Sequence, residues 1–500
     1  MSSEKFFATN NEKRLHKWGF KDSGFKLISN KNVTFTGDRY EVCGTEMPDF
    51  IPYIENMLEI EFDQKDQLVP IAKKPVPPAQ VNKEFLSAIE SSFDKDRYTI
   101  DDIERLIHSH GQETFKDIYK VLYKSIERTV DLVFYPESEN EVKEIVEISS
   151  RFNVCLIPYG GGTNVTRALS VPENEDRMVV SIDMRRMSKI EWINKEDRRI
   201  SVEAGITGSE LDDLLKEEGL TIGHEPDSIE LSTVGGWIAT NASGMKKNRY
   251  GNIEDIVENV HMVSPQGTIK QIKPISRGSI GFKPQNVLFG SEGNLGIITK
   301  AVLKLHERPQ CQEYNSVLFK KWEEGVSFLN ALSKTNFIPA SVRLVDNIQF
   351  RFGQALKPRP KGLKKIKSRL EKFVVVNFKK FDPDKMCALT IVMEGSKDEV
   401  SYQQKNIKKL AKIHKGMIGG PGNGKRGYML TYAIAYVRDF VSSFQIMGET
   451  METTVPWSKI QNVIDAASKA LVEFHSEYNM PGKPYISYRI PQIYHTGVCI

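Results

Sequence analysis

Three glycine-rich stretches of this 500-residue chain could bind an anion through main-chain N–H groups. The first is PYGGGTNV at residues 158–165, the second spans residues 226–244, and the third is GSEGNLGII at residues 290–298. Glycine lets the backbone approach an anion without a Cβ in the way, and it offers clustered donors. Hydroxyl and amide groups in these stretches add further donors: Thr163, Asn164, Ser228, Thr233, Thr240 and Ser243. One such loop is weak evidence, but three together favour a diphosphate-bearing cofactor.

The overall composition is that of a globular protein, with 40% hydrophobic and 27% charged residues. A chain of this length predicts roughly two to four domains with a sizeable core. A net charge of +4 is too small to indicate nucleic acid by itself. The five cysteines are widely spaced, which indicates free thiols in a reducing compartment. No metal motif and no G-x-S-x-G hydrolase motif is present, so we predict no metal site.

The elements that must position the glycine loops follow from hydrophobic patterning. Residues 1–80 read as irregular, with a proline-rich joint at 73–80, and residues 82–128 read as helical, with Thr99 as a cap candidate. From Asp131 to about His306, strands alternate with helices, and Ser138 with Glu141 forms a capping-box pattern. Residues 307–480 alternate similarly with fewer glycines. We therefore predict an α+β protein with an N-terminal region at 1–130 and two domains at 131–306 and 307–500.

The three glycine loops together resemble the FAD-binding domain of the vanillyl-alcohol oxidase and p-cresol methylhydroxylase (PCMH) superfamily. This resemblance rests on PYGGGT, on P-D-S followed by S-T-V-G-G, and on GSEGNLGI. It implies two α+β subdomains that clasp FAD, followed by an α+β cap domain. The cofactor-binding residues that it implies are Pro158, Tyr159, Gly160, Gly161, Gly162, Thr163, Asn164, Val165, Asp227, Ser228, Ile229, Glu230, Leu231, Ser232, Thr233, Gly236, Thr240, Asn241, Ala242, Ser243, Glu292, Gly293, Asn294, Leu295, Gly296, Ile297 and Ile298.

Some members of the superfamily attach FAD covalently through a histidine or cysteine. The first loop contains neither residue, and the nearest candidate is His224, just before the second loop. We interpret His224 as a hydrogen-bonding or packed histidine, and we expect FAD to be bound non-covalently.

A longer set of segments resembles the alkyldihydroxyacetonephosphate synthase family. It includes EAGITGSEL, GHEPDSIELSTVGGWIATNASGMKKNRYGNIED, PASVRLVDN, RGYMLTYAIAYVRD and GETMETTVPW. The resemblance implies exchange of the acyl chain of acyl-dihydroxyacetone phosphate for a fatty alcohol, which forms an ether bond without net oxidation. Two alternatives stay open: an FAD-dependent 2-hydroxy-acid dehydrogenase and a non-catalytic FAD-binding paralogue.

Two arginines match positions that the family uses at its active site, Arg343 in PASVRLVDN and Arg489 in PYISYRI. A phosphorylated substrate suits arginine, because the planar guanidinium can bind two oxygens at once. The resemblance therefore implies that Arg343 and Arg489 bind the substrate. A surface or helix-capping role is the ordinary alternative for each.

Two other stretches invite a functional interpretation. Residues 419–427, GGPGNGKRG, nearly form a P-loop, but Arg426 stands where Mg²⁺ needs a hydroxyl, so we interpret the stretch as a cap-domain turn. Residues 357–380 carry ten basic residues against the single acid Glu371. This segment is either a solvated flexible surface or a contact with anionic lipid headgroups.

The sequence departs from the family pattern at two places. Phe282 and Lys283 stand where the family usually has Pro and Asp before the third loop. The family's catalytic Tyr and its run of three histidines have no counterpart before Ile500, so no catalytic residue is assigned and we expect a C-terminally incomplete cap domain. The resemblance also implies a homodimer in peroxisomes, although no targeting signal is visible.

Overall fold

The computed structural model describes residues 19–500 except 30, 72–74, 113, 271–274, 280, 282 and 361, and it gives no side chain for Lys364, Lys367 and Glu371. Phe282 and part of the proline-rich joint therefore lie outside the described residues. The described chain divides into two compact units: residues 69–308 form most of the first, and residues 22–68 with 309–500 form the second. The N-terminal 130 residues are thus shared between the two units, and the three-part domain division stays a prediction.

The N-terminal part of the second unit is regular, which corrects the expectation that residues 1–80 are irregular. It forms an antiparallel sheet of β1 (Gly24–Ser29), β2 (Asn32–Thr36) and β3 (Glu46–Met47), followed by α1 (Phe50–Leu58). Val33 and Phe35 alternate with polar neighbours and are buried, as are Phe50 and Ile51 of α1. The strands are short, and turn residues separate them, which hid this pattern in the sequence.

The first sheet of the first unit is mainly parallel. Its strands are β4 (Tyr98–Thr99), β5 (Leu132–Phe134), β6 (Cys155–Tyr159) and β7 (Val179–Asp183), in the order β4-β5-β7-β6, with only β4 antiparallel. The accompanying helices are α2 (Lys83–Ser92), α3 (Asp102–Ile107), α4 (Phe115–Tyr123) and α5 (Glu139–Arg151). Ser138 caps α5 by accepting from the Glu141 amide, as expected, but the Glu141 carboxylate accepts from the Glu137 amide at 2.7 Å and does not complete the capping box. Asp101 caps α3, so the expectation for Thr99 was wrong.

The second sheet of the first unit is antiparallel, in the order β12-β11-β13-β9-β8. Its strands are β8 (Ile190–Asn194), β9 (Arg199–Glu203), β11 (Val257–Ser264), β12 (Gly267–Ile269) and β13 (Ile297–Lys304), while β10 (Leu220–Thr221) pairs with β14 (His306–Glu307). Its helices are α6 (Gly208–Glu217), α7 (Val234–Ala239), α8 (Lys247–Tyr250) and α9 (Ile253–Ile256). Helix α5 joins the two halves, because Val142 and Ile145 share one core with Val263 and Ile297.

The main sheet of the second unit is antiparallel, in the order β18-β15-β17-β16-β20. Its strands are β15 (Cys311–Phe319), β16 (Ser341–Val345), β17 (Cys387–Gly395), β18 (Met417–Ile418) and β20 (Arg489–Ile490), and a smaller sheet has the order β19 (Thr454–Pro456), β22 (Gly497–Cys499), β21 (Gln492–Ile493). The helices are α10 (Trp322–Leu332), α11 (Asn347–Ala355), α12 (Leu363–Phe373), α13 (Lys397–Ile413), α14 (Pro421–Ser442) and α15 (Ile460–Glu477). The final described strand, β22, pairs on both sides.

The near-P-loop is helical rather than a turn, which corrects its interpretation. Pro421 is the first residue of α14, where proline is well tolerated because its missing N–H has no partner in the helix. Two of the glycines then bring the helix against the sheet. A Cβ at Gly424 would overlap the backbone of Asn315, and one at Gly427 would overlap the Thr390 side chain. The motif is therefore a close helix–sheet contact.

Candidate functional site

The first glycine loop leaves the carboxyl end of β6 and packs directly on the second loop. A Cβ at Gly160 would overlap the Thr233 hydroxyl, and a Cβ at Gly161 would overlap the Leu231 carbonyl. Only glycine allows this approach of two main chains. The first and second glycine loops lie about seventy residues apart in the sequence, but they pack against each other at the carboxyl end of the parallel strands.

The third glycine loop joins the same group. A Cβ at Gly293 would lie 2.9 Å from Pro158 Cδ, beside the start of the first loop. The Glu292 amide donates to the Ala239 carbonyl at 2.9 Å, and the Gly290 amide donates to the Ile238 carbonyl at 3.2 Å. The third loop thus touches both the first loop and the end of α7.

Two residues of the predicted site hold strained backbone conformations. Asn241 in the second stretch has φ of 49°, and Glu292 in the third has φ of 47°. Non-glycine residues adopt this left-handed region at a cost of roughly 1–3 kcal/mol, and such residues concentrate at binding sites. Their neighbours Gly290 and Gly293 also have positive φ.

The predicted cofactor residues differ in burial. Those with exposed side chains are Val165, Asp227, Thr240, Asn241, Ser243, Asn294 and Leu295. Those buried in the protein are Tyr159, Leu231, Ser232, Thr233, Ile297 and Ile298. The others are half-buried. Ile297 and Ile298 belong to the hydrophobic cores on the two sides of β13, so their side chains serve packing.

Several of the hydroxyl groups expected to donate to a ligand serve local structure. Thr233 accepts from the Gly236 amide as the cap of α7, and Thr240 donates to the Gly236 carbonyl at 2.8 Å. Ser232 donates to the Ser228 carbonyl and accepts from Trp237 Nε1 at 2.7 Å. The Ile229, Leu231 and Ser232 amides also donate within this stretch, to the Pro226 and Ser228 carbonyls, so they serve local structure as well.

Asn164 retains an unsatisfied polar atom at the end of the first loop. Its main-chain carbonyl accepts from the Gln112 amide at 2.7 Å, while its side-chain oxygen is buried and has no hydrogen-bond partner within the described part of the chain. Buried polar atoms are normally paired, so this one fits an additional bound group. The amide oxygen can only accept, so it suits a hydroxyl donor of the sugar or ribityl part of a nucleotide cofactor, whereas the glycine-lined loop suits the diphosphate.

A buried ionic cluster of Asp183, Arg185 and His108 lies beside Tyr159, at the start of the first loop. Asp183, at the end of β7, accepts from Arg185 Nη2 at 2.5 Å and from His108 Nε2 at 2.9 Å. Burial alone would raise the pKa of the Asp183 carboxyl, but the Arg185 guanidinium and the His108 ring hold it below its ordinary range. Sequence reasoning missed this cluster. A charged residue at the end of the buried run VVSID was the available signal.

Tyr159 connects this cluster to the loop. Its ring lies between His108, with ring centroids 4.3 Å apart, and Arg185, whose guanidinium is 5.4 Å from the ring centroid. A Cβ at Gly162 would lie 2.5 Å from the Tyr159 hydroxyl oxygen. Burial raises the pKa of Tyr159 to about 12, so the hydroxyl keeps its proton at neutral pH.

His224 is a packed residue, in agreement with one of its two interpretations. It is 3% exposed, and its ring meets Trp237 edge to face at a centroid distance of 4.8 Å. Among the residues that the structure describes, neither ring nitrogen has a hydrogen-bond partner. Burial lowers the pKa of His224 to about 4, so the ring is neutral at physiological pH.

The two predicted substrate arginines lie on neighbouring strands of the second unit. Val345 of β16 pairs with Arg489 of β20, and directly paired residues project from the same face of a sheet. Arg343 lies two residues before Val345, so it projects from that face as well. The opposite face carries Val342, Leu344 and Ile490 in the hydrophobic core.

Helix α14 crosses the arginine face. Arg343 Nη1 donates to Thr431 Oγ1 at 2.5 Å. Arg438 follows Thr431 by seven residues and so lies on the same side of α14. Sequence reasoning did not single out Arg438, because the glycines at the start of this helix were interpreted as a turn.

Comparison with known proteins places this geometry in a family. The family described as FAD binding domain matches residues 130–273, and the family described as FAD linked oxidases, C-terminal domain, matches residues 308–499. An alkyldihydroxyacetonephosphate synthase of Caenorhabditis elegans is 37% identical over 484 residues, covering 97% of this chain and 81% of the relative. The chain belongs to the alkyldihydroxyacetonephosphate synthase family.

Solved structures agree with this assignment. An alkyldihydroxyacetonephosphate synthase structure is matched with a TM-score of 0.87 and 29% identity, covering 98% of this chain and 88% of that one. p-Cresol methylhydroxylase is matched with a TM-score of 0.61 and 14% identity, covering 85% and 84%, which shows the fold alone. The predicted α+β fold with a PCMH-type FAD-binding domain is confirmed, and so is FAD as the cofactor. Which residues touch FAD stays a prediction.

Within the described residues, no helix combines the length and the apolar character needed to cross a bilayer. The same part of the chain holds no cluster of three or more potential metal ligands among its His, Cys, Asp and Glu residues.

Proposed function

We propose that this chain is an FAD-dependent alkylglycerone-phosphate synthase of ether-lipid (plasmalogen) biosynthesis. It exchanges the acyl chain of acyl-dihydroxyacetone phosphate for a fatty alcohol and releases the fatty acid. The observation that carries the proposal is the shared face of Arg343 and Arg489, in a chain of this family. The overall exchange consumes an ester and an alcohol and yields an ether and an acid, so it needs no external oxidant.

Arg343 and Arg489 bind the phosphate of the substrate. Diagonal neighbours on adjacent strands stand roughly 7–8 Å apart at their Cα atoms, a spacing that allows two guanidinium groups to grip one phosphate. The bond from Arg343 to Thr431 orients the first guanidinium before substrate arrives. The arginines have a binding role, and proton transfer is not assigned to them.

The glycine loops hold the cofactor in this proposal. Main-chain N–H groups of residues 160–164 would bind the diphosphate, and Asn164 would supply its side-chain amide. FAD, when bound, provides a ring that accepts electron density during the exchange. The protein residues supply position and charge, and the buried Asp183 cluster keeps the first loop in place.

The test is exchange by the purified, FAD-loaded chain, measured as labelled hexadecanol incorporated into alkyl-dihydroxyacetone phosphate. Arg489→Ala should lose exchange by at least about a hundredfold and keep its FAD, since charged hydrogen bonds each contribute about 1.5–3 kcal/mol. The matched control is Arg351→Ala, which removes an arginine of α11 paired with Asp384 at 2.8 Å. Unchanged exchange and unchanged substrate affinity in Arg489→Ala would refute the phosphate-binding role.

The same preparation separates the alternatives. The match to FAD linked oxidases keeps a 2-hydroxy-acid dehydrogenase under consideration. Anaerobic D-lactate or glycolate should leave the flavin absorbance unchanged, and bleaching would favour the dehydrogenase. FAD retained without any exchange would favour a non-catalytic paralogue. Acid precipitation should release all flavin into the supernatant, because FAD is held without a covalent bond.

We further propose that α12 contacts an anionic membrane surface. Leu363, Ile366, Leu370 and Phe373 follow helical spacing and are each more than half exposed. The basic residues Lys365, Arg369 and Lys372 are exposed between them. An exposed apolar stripe flanked by cations is typical of helices that lie in the headgroup region. Both substrates carry long chains, which suits an enzyme at a membrane.

Vesicle co-sedimentation tests the role of α12. Wild type should bind phosphatidylserine vesicles more strongly than phosphatidylcholine vesicles. The double variant Leu363→Ser with Leu370→Ser should bind neither kind of vesicle. The control is Leu471→Ser with Val472→Ser, which replaces two exposed apolar side chains of α15 in the same way and should leave vesicle binding unchanged. Equal binding by wild type and the α12 variant would exclude the contact.

The family assignment also supports a homodimer in peroxisomes. Light scattering on the purified chain tests the oligomeric state, since a monomeric mass would exclude the dimer. Imaging of the tagged protein beside a peroxisomal marker tests the localisation.

A further inference from the structure

The segment before Arg489 is irregular, and its attachment decides where that arginine lies. Residues 482–488, called the strap here, have no regular secondary structure. The strand that follows, β20, contains only Arg489 and Ile490 and pairs with β16 at two positions. A two-residue strand gives little restraint by itself, so contacts along the strap must fix it.

Asp346 holds the end of the strap next to Arg489. Its amide donates to the Tyr488 carbonyl at 3.1 Å, and its Oδ2 accepts from the Tyr488 amide at 3.2 Å. Its Oδ1 accepts from the Gln349 amide at 2.8 Å as the cap of α11. Burial raises the pKa of Asp346 to about 6, against the opposing effect of these amide donors. Both carboxylate oxygens are therefore bound to backbone, which suits a positioning role.

Tyr53 of α1 holds the middle of the strap. The Tyr485 hydroxyl is hydrogen-bonded to the Tyr53 hydroxyl, and Tyr53 donates to the Ile348 carbonyl at 2.7 Å. The Tyr485 side chain is half-buried, and desolvation raises its pKa, so the hydroxyl stays a donor. This chain of bonds ties the strap both to α1 and to the first turn of α11.

The start of the strap is attached to the end of α1. The Lys483 amide donates to the Leu58 carbonyl at 2.7 Å, and the Lys483 ammonium pairs with Glu59. Gly482 has φ of 71°, and a Cβ there would overlap the Leu58 carbonyl. The strap is thus held at three places by residues that lie far from it in sequence.

We propose that Asp346 and Tyr53 are positioning residues that set the place of Arg489 through the strap. The inference rests on the proposed function, because it assumes that Arg489 binds the substrate phosphate. A bidentate guanidinium–phosphate contact is lost when the guanidinium moves by about 1 Å. A loosened strap therefore weakens substrate binding, although Asp346 and Tyr53 do not contact the substrate. The N-terminal residues 22–68 thereby serve the substrate site of the second unit.

The experiment compares Asp346→Ser with wild type. Serine is also a good N-cap, so α11 keeps its cap while the Tyr488 amide loses its acceptor. We expect the Kd of the FAD-loaded protein for palmitoyl-dihydroxyacetone phosphate, measured by calorimetry, to rise about tenfold, with FAD content unchanged. Tyr53→Phe removes the second attachment and should raise the same Kd by a similar factor.

The matched control is Ser396→Ala, which removes the cap of α13 on the other side of the sheet. It should lower the melting temperature while the Kd stays unchanged. If Asp346→Ser and Tyr53→Phe also leave the Kd unchanged while Arg489→Ala raises it, the strap inference is wrong and the proposed function stands. If Arg489→Ala leaves the Kd unchanged, Arg489 does not bind the substrate phosphate. The strap inference is then wrong too, because it depends on that role.

Discussion

The contribution of one histidine, His224, to the stability of the FAD-binding unit should fall in mild acid. The unfolded chain binds a proton at His224 below a pKa of 6.5, whereas the folded chain binds it only near pH 4. Between these values the unfolded state carries more protons, so the free energy of unfolding decreases as the pH falls. At about 1.36 kcal/mol per pKa unit, the full effect is roughly 3 kcal/mol, of which about 2 kcal/mol is lost between pH 7 and pH 5.

The variant His224→Leu isolates this contribution. It removes the titrating ring and keeps an apolar side chain against Trp237. Glu210 titrates in the same window with the opposite sign, since burial raises its pKa to about 7 and the stability from its neutral form is lost as the pH rises. Glu210 is present in both proteins, so the difference between them reports His224 alone.

The assay is urea unfolding at pH 5, 6 and 7, followed by flavin fluorescence at a fixed FAD concentration. The gap between the two unfolding free energies should change by about 2 kcal/mol between pH 7 and pH 5, in favour of the variant at the acid end. A gap that stays constant with pH would refute the reasoning. A folded-state pKa near 6.5, measured by NMR titration, would refute it as well.

Two further predictions concern glycines that allow close contacts. Gly161→Val should yield protein without FAD, because the new side chain would overlap the Leu231 carbonyl, and a yellow, FAD-saturated variant would contradict the loop assignment. Gly424→Val should lower the melting temperature of the second unit by several degrees, because a Cβ there would overlap the Asn315 backbone. Gly422→Val is the control for both, since nothing lies within 4 Å of its Cβ position.

The sequence predicts most of the first unit because its signals are local. Apolar runs such as VVSID and GIITKAVLKL correspond to β7 and β13, and the glycine loops follow directly from such runs. The capping residue Ser138 was also predicted correctly. Each of these features is decided by residues within a few positions of one another.

The features that were missed depend on distant contacts. The glycines at the start of α14 are unfavourable in a helix by roughly 0.5–1 kcal/mol each, so local propensity argues for a turn. The contact with Asn315 and Thr390 overrides that propensity, and the sequence near α14 carries no trace of it. The role of α1 in holding the strap is likewise invisible, since Tyr53 and Tyr485 are more than four hundred positions apart.

The contacts among the glycine loops show that several of the glycines are required for packing one loop against another. Gly160 and Gly161 make room for the second loop, Gly293 makes room for Pro158, and Gly162 has φ of 70° above the Tyr159 ring. These contacts join parts of the protein to each other, so each of these glycines serves the packing of the loops. FAD binding adds to the stability of the unit by mass action, as RT ln(1 + [FAD]/Kd). A substitution such as Gly161→Val therefore disrupts the packing of the first loop on the second, and FAD binding is lost as a consequence.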